Sequence, residues 1–277
     1  MMRSLLTLAL LATVAPAMGQ TAIGEWQDHF SYAKVVAVAE GGQYVYAASG
    51  TGAFRYDQQS GEVERANKID KLHDVGIQGL SWNAALQAML VFYTNGNLDL
   101  LQGEGSYNIG DIKRSSIVGN KGVYSVYMNG TKAYLGCGFG IVVLDLASRE
   151  VRETWFVGPG GAQVRVNGIT MTNDSIYAAT DSGLYVAARN SANLAFFENW
   201  HRRTDMGAAL SSGPFNAVAS FGDKLVLNAP RATGGDSLLI LGADGSWTRF
   251  EPLFGKENRS IVVSDDGQRL TVANASE

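Results

Sequence analysis

The chain has 277 residues, 46% of them hydrophobic and 17% charged, a balance that suits a folded globular protein and excludes a disordered one. Its formal net charge of −4 lacks the dense positive field that non-specific nucleic-acid binding needs. With 33 glycines against 5 prolines, the chain is made for tight turns rather than stiff linkers.

Residues 1–20 read as a secretory leader. Arg3 supplies the positive start and residues 5–14 a short apolar core. Ala15-Pro16-Ala17 and Ala17-Met18-Gly19 offer small residues for cleavage. The competing reading is a buried N-terminal helix. No later run approaches the roughly 20 apolar residues that span a bilayer. Residues 21–277 are therefore expected to be exported.

An internal repeat organises the chain beyond the leader. Residues 54–63 and 142–151 match at an offset of 88, which superposes Asp57 on Asp145, Ser60 on Ser148, Glu62 on Glu150 and Val63 on Val151. Tyr46 and Tyr134 keep the same spacing, as do Gly52 and Gly140. Gly96 falls midway between those two glycines, and Gly183 lies 43 residues after Gly140. The period is thus about 44 residues. Unit three predicts strands at 123–128, 132–136, 141–146 and 151–157, with a turn at Asn129-Gly130. Unit four predicts them at 167–171, 175–180, 184–188 and 194–200. These segments are rich in Val, Ile, Tyr and Phe and are separated by turn residues, the signature of an all-β chain. Unit five covers 215–250 with a longer middle loop at 230–236. Unit six has strands at 259–264 and 269–273 around Asp265-Asp266-Gly267, and the sequence ends where a third strand is due.

Four short strands in about 44 residues make one propeller blade. A lone twisted sheet cannot bury both faces, whereas sheets stacked around an axis bury them in series. The expected fold is an all-β propeller of four-stranded blades, incomplete at about five and a half blades and continuing past Glu277. Residues 26–32 are expected to supply an outer strand that closes the ring. A β-solenoid and stacked sandwiches are the alternatives.

Few residues carry chemistry. His29, His73 and His201 are far apart and lack metal-ligand spacing. There is no G-x-S-x-G elbow and no phosphate-binding loop of the G-x-x-x-x-G-K type. Gly136-Cys137-Gly138-Phe139-Gly140 sits between two strands with no helix after it, so it reads as a turn needing positive φ rather than a nucleotide site. Cys137 has no internal partner and reads as a small core residue. Asp57 and Asp145 each end a third strand and are expected to cap the following turn through their own side chains. Trp82 and Trp247 read as blade-packing residues. No catalytic residue, metal or cofactor is expected. Two clusters offer cations for an anionic sugar or phosphate, Lys113-Arg114 after unit two and Trp200-His201-Arg202-Arg203 after unit four. The proposed ligand-binding residues are Lys113, Arg114, Trp200, Arg202 and Arg203. The competing reading of both clusters is a solvated inter-blade loop.

Three segments carry a family resemblance. Ile23-Gly24-Glu25-Trp26-Gln27-Asp28-His29-Phe30-Ser31-Tyr32 resembles the opening of mature PorZ-family proteins of Bacteroidota. The run from Asn108 through Asp111, Lys113 and Arg114 to Gly119 is similar to a hallmark of that family, as is the run from Ala133 to Leu146. Leu72-His73-Asp74-Val75-Gly76-Ile77 resembles the blade link of two-component-regulator propellers. The resemblance implies an N-terminal propeller followed by a second propeller and a C-terminal β-sandwich. It further implies a cell-surface, outer-membrane-associated role in type IX secretion, with the sortase PorU and the outer-membrane proteins PorV and PorQ as partners. Anionic lipopolysaccharide would be bound and presented to the sortase without catalysis. The alternatives are a periplasmic oligosaccharide-sensing propeller of a hybrid two-component regulator and a propeller lyase or lactonase.

Overall fold

Strand β6 (Ala88–Tyr93) is buried along its whole length and shows how the molecule is built. Successive strand side chains point to opposite faces. Accordingly Met89, Val91 and Tyr93 join one core with Tyr46, Ala48 and Ile77. Ala88, Leu90 and Phe92 join another with Leu135, Cys137 and Leu144. A strand apolar on both faces needs a sheet against each of them, and the computed structural model supplies both. It describes residues 32–264 and 266–275. The leader at 1–20 and nearly all of the 26–32 segment lie outside the described residues.

The first sheet comprises β1 (Val35–Gly41), β2 (Tyr44–Ser49), β3 (Gly52–Asp57) and β4 (Val63–Asn67). The second adds β5 (Ile77–Asn83), β7 (Leu98–Gln102) and β8 (Gly105–Ile109) to β6. One helical turn, α1 (Asp111–Arg114), leads to the third sheet. That sheet holds β9 (Val123–Asn129), β10 (Lys132–Cys137), β11 (Gly140–Asp145) and β12 (Glu150–Trp155). The fourth holds β13 (Val166–Met171), β14 (Ser175–Thr180), β15 (Gly183–Ala188) and β16 (His201–Arg202). The fifth holds β17 (Ala217–Phe221), β18 (Lys224–Ala229), β19 (Ser237–Leu241) and β20 (Trp247–Arg249). A sixth pairs β21 (Glu257–Val263) with β22 (Leu270–Ala275).

Every sheet is an antiparallel meander in sequence order. The first strands of successive sheets touch one another, β1 with β5, β5 with β9, β9 with β13, β13 with β17 and β17 with β21. They form the inner wall of a propeller, and the fourth strands lie outside. Each meander then sends its first and third hairpin turns to one end of the molecule, and its second turn and the inter-blade link to the other. Among the described residues the sixth sheet does not pack on the first as the other neighbours pack on each other, so these six sheets form an open arc. The exposed Val35, Val36 and Val38 of β1 belong to that uncovered flank.

The repeat aspartates cap turns. Asp57 Oδ1 accepts the backbone N–H groups of Gln59 and Ser60, and Asp145 Oδ1 those of Ala147 and Ser148. Those backbone hydrogen bonds hold both carboxyls below their ordinary range. Of the clustered glycines, Gly140 alone has the expected positive φ, at 150°. Gly138 is required by close approach, because a Cβ there would meet the Asn120 carbonyl oxygen at 2.3 Å.

The fourth blade corrects the sequence reading. Its outer strand is not 194–200 but the two residues of β16, which pair as Tyr185 with Arg202 and Val186 with His201. The predicted strand folds back on itself instead. Asn193 Oδ1 accepts the Ala195 N–H, Asn199 Nδ2 donates to the Asn193 carbonyl and Trp200 Nε1 to the Leu194 carbonyl. These local bonds compete with the sheet ladder and win.

Candidate functional site

Two acids that fasten the links between blades are fixed rather than reactive. Asp99, on β7, has a side chain with no exposure. Its Oδ2 accepts the Tyr93 hydroxyl at 2.6 Å and the His73 N–H at 2.8 Å. Its Oδ1 contacts His73 Nδ1 and accepts Asn108 Nδ2, both at 2.9 Å. The network ties the link before β5 to three strands of blade two. Burial, then the Asp99 carboxylate, push the Tyr93 hydroxyl far above its ordinary pKa. Asp74 is likewise buried and accepts Lys113 Nζ at 2.5 Å and Asn95 Nδ2 at 2.9 Å. Burial raises its pKa, but the bonds from Lys113, Asn95 and the Val75 N–H outweigh that and lower it.

The five sequence-nominated residues fall in two separate places. Lys113 and Arg114 lie on α1. Lys113 is held by Asp74, while Arg114 is two-thirds exposed and pairs with Asp111 at 3.0 Å. The other three lie at the edge of blade four. Trp200 is buried, with its ring 5.8 Å from that of Trp155. Arg203 pairs with Asp205, whose hydrogen bonds raise the guanidinium pKa, and sits over the Trp247 ring. Arg202 is exposed and, among the described residues, has no ion-pair partner. No hydrogen bond or ion pair joins the two clusters among the described residues. Trp247 Nε1 donates to Asp205, and Trp82 stacks on Tyr46 across the first blade seam. Cys137 is fully buried, and burial pushes its thiol pKa well up. Among the described residues no group of three or more His, Cys, Asp or Glu side chains is placed to hold a metal ion.

A further polar feature was not nominated from sequence. A cleft of about 380 Å³ lies in the seam between blades one and two. It exists because two positions are small. Ala53 pairs with Ala66, where the matching pair in blade three is Ile141 with Trp155. Tyr44, Tyr46 and Trp82 wall the cleft, and Gly41 lets the Trp82 ring lie flat on the β1 backbone, where a Cβ would come within 2.5 Å. On its rim four charges meet. Arg55 Nη2 contacts Glu64 Oε2 at 2.5 Å and Glu104 Oε1 at 3.1 Å. Lys71 Nζ contacts Glu64 and, at 3.2 Å, Glu104 Oε2. Burial opposes the charge on Arg55, but its bonds to Glu104 and Glu64 raise its pKa. The bond to Glu64 raises that of Lys71. Glu104 is lowered by Arg55 and then Lys71.

Sequence period hides this cleft. The offset of 88 sets Ala66 against Thr154, yet the structural counterpart is Trp155. The pairing of β11 with β12 skips Arg152, a bulge that β3 and β4 lack. The one local hint is Gly103-Glu104-Gly105, an acid between two turn glycines.

Comparison with known proteins gives a consistent picture. The sequence family described as "TSS9, PorZ, N-terminal beta-propeller domain" matches residues 45–201. No curated protein matches the sequence. Among solved structures, PorZ of Porphyromonas gingivalis, described as an essential bacterial surface component of the type-IX secretion system, aligns with a TM-score of 0.71 at 18% identity. The alignment covers 87% of this chain and 30% of that one. The extracellular domain of the putative hybrid two component system BT3049 from B. thetaiotaomicron aligns with a TM-score of 0.60 at 13% identity, over 87% of this chain and 32% of that one. That of the putative one component system BT4673 aligns with a TM-score of 0.55 at 12% identity, over 90% and 40%. The chain therefore spans about a third of the length of the structures it resembles.

Proposed function

Because the chain belongs to the PorZ N-terminal β-propeller family, we propose that it serves as the binding and scaffold propeller of a type IX secretion component. In this reading it is exported, acts at the cell surface without catalysis, and presents anionic lipopolysaccharide to the sortase PorU in a complex with PorV and PorQ. The observation that carries the reading is the family match over residues 45–201, which includes the 108–119 run. The structure gives that run a physical role. It caps blade two, buries Ile112, and is fastened by Lys113 to Asp74 and by Lys121 Nζ to the carbonyls of Lys113 and Ser115. A fixed link of this kind holds exposed cations in place. Arg114 and Arg202 are proposed as contacts for the anionic polymer, with Lys113, Arg203 and Trp200 bracing them. Specificity then comes from placement of groups rather than from bond-making.

The test is retention of the sortase and of purified anionic lipopolysaccharide by the tagged full-length protein. Co-retention of both is expected, and association with neither defeats the proposal. The fold likeness to the two B. thetaiotaomicron extracellular domains favours a second reading, an oligosaccharide-sensing propeller. That reading expects capture of an oligosaccharide and no sortase.

A further inference from the structure

Three glutamines on the wall of the blade one–blade two cleft each commit one amide N–H elsewhere. Gln43 Nε2 donates to Asp57 Oδ2 at 2.9 Å, Gln87 Nε2 to the Ala84 carbonyl at 2.7 Å and Gln102 Nε2 to the Leu86 carbonyl at 2.9 Å. A carbonyl or carboxylate oxygen can only accept, so these partners fix which way each amide is turned. Each Oε1 is left as an acceptor, and among the described residues nothing donates to any of the three. The cleft wall thus offers acceptors suited to hydroxyl groups.

The rim offers the opposite. Arg55 and Lys71 are donors only, and both are three-quarters or more covered. Glu64, from β4 of the same blade, neutralises one of the two charges. The second is met by Glu104, which reaches across from blade two and is 80% exposed. Exposed ion pairs hold weakly, because water competes for both partners. Glu104 also sits in the two-residue turn that joins β7 to β8. Gly103 has φ of 55°, and nothing lies within 4 Å of where its Cβ would be. Glu104 is therefore placed as an internal stand-in, a carboxylate resting on a dication that an outside carboxylate can take over.

We propose that this cleft binds an acidic sugar ring, its carboxylate replacing Glu104 on Arg55 and Lys71 and its hydroxyls donating to the free amide oxygens of Gln87 and Gln102. The volume of about 380 Å³ suits one or two pyranose rings and falls in the lower part of the usual range for ligand sites, roughly 300–1,000 Å³. Tyr44 carries the Arg55 guanidinium over its ring at 4.8 Å, and Trp82 is stacked on Tyr46, so the aromatic wall holds the cation in register. The inference deepens the function proposed above and rests on it only for which polymer carries the ring.

The test is calorimetric titration of the full-length chain with trigalacturonate and, as the uncharged control, maltotriose. The acidic trisaccharide is expected to bind at least about tenfold tighter, and to weaken as salt rises and screens the carboxylate. Glu104→Ala removes the internal competitor and is expected to tighten binding about two- to fivefold. Arg55→Met is expected to abolish it. Ala66→Trp installs the blade-three side chain and is expected to close the cleft without touching a charge. Should that variant melt early, Gln87→Leu, at an exposed position, serves instead and is expected to lose at least about threefold by leaving a sugar hydroxyl unpaired. Equal affinity for the two trisaccharides overturns the proposal, as does weaker binding by Glu104→Ala or unchanged binding by a folded Ala66→Trp. Lipopolysaccharide retained equally by wild type and Ala66→Trp removes the cleft and leaves the proposed function standing. Trigalacturonate bound in the cleft with no retention of lipopolysaccharide does the reverse.

Discussion

Replacing Asp99 with alanine tests whether the inter-blade links are held by buried polar networks. The substitution removes the acceptor for four groups at once, the Tyr93 hydroxyl, the His73 N–H, His73 Nδ1 and Asn108 Nδ2. Asn108 keeps bonds to Asn97 Oδ1 and the Leu98 carbonyl, and the exposed His73 ring can turn to water. Tyr93 has no such recourse, being fully buried. An orphaned buried donor costs about 1–3 kcal/mol, and breaking a buried charged network about 3–5 kcal/mol. The expected loss is therefore about 3–5 kcal/mol, a large share of the roughly 5–15 kcal/mol that stabilises a typical domain. Urea unfolding of the full-length chain followed by tryptophan fluorescence reads it as a lower midpoint at an unchanged slope. Asp57→Ala is the control, since it removes an acid that caps a surface turn and orphans no buried side-chain donor, and should shift the midpoint far less. An Asp99→Ala midpoint within the scatter of that control would refute the reasoning and make the link a passive connector.

Three further outcomes are expected. Asp74→Asn should lower the melting temperature at pH 7 and cost about 1–3 kcal/mol there. The folded pKa of Asp74 is depressed, so its stabilisation is present above the unfolded value of about 3.9 and is lost as pH falls through the folded value. Wild-type and variant melting curves should accordingly converge once pH falls below that folded value. Leu90→Ala, in the core between blades two and three, should cost about 2–5 kcal/mol by the same urea assay. Cys137 should resist a thiol reagent such as Ellman's in the native protein and react fully in denaturant, because its sulfur is buried and its thiolate is disfavoured.

The propeller was legible in the sequence because burial on both faces forces the same strand grammar on every blade. The spacing of Tyr46 to Tyr134 and of Asp57 to Asp145 survives because each side chain does the same job twice, and the turn-capping role of the aspartates followed from their residue type. Reading failed where local bonding overrode composition. Leu194, Phe196, Phe197 and Trp200 give the segment the apolar content of a strand, yet the Asn193 and Asn199 side chains coil it and leave β16 with two residues. The nominated cation clusters were found by charge alone, which cannot show that Lys113 is spent on Asp74 or that Trp200 is inside. The cleft was missed for the converse reason. Arg55, Lys71, Glu64 and Glu104 come from two strands, a link and a hairpin turn of two blades, and no short stretch of sequence brings them together.

What distinguishes one seam from another in such a molecule is the size of a few residues. The blade two–three seam is packed with Leu90, Leu100, Leu135 and Leu144, none of them exposed. The blade three–four seam is plugged by Tyr134 and Trp155, with Trp200 against them. In the first seam Ala53 and Ala66 stand where Ile141 and Trp155 stand two blades on, and that missing volume costs core packing. The rim charges do not repay it, since exposed ion pairs contribute little to stability. A seam that gives up apolar contact and gains only ion pairs completed by the exposed Glu104 is better accounted for by something it receives than by the fold it supports. The same comparison makes Ala66→Trp a discriminating substitution. If the opening serves binding, the folded variant should no longer take up the acidic sugar; if it is only a packing difference between seams, uptake should persist unchanged.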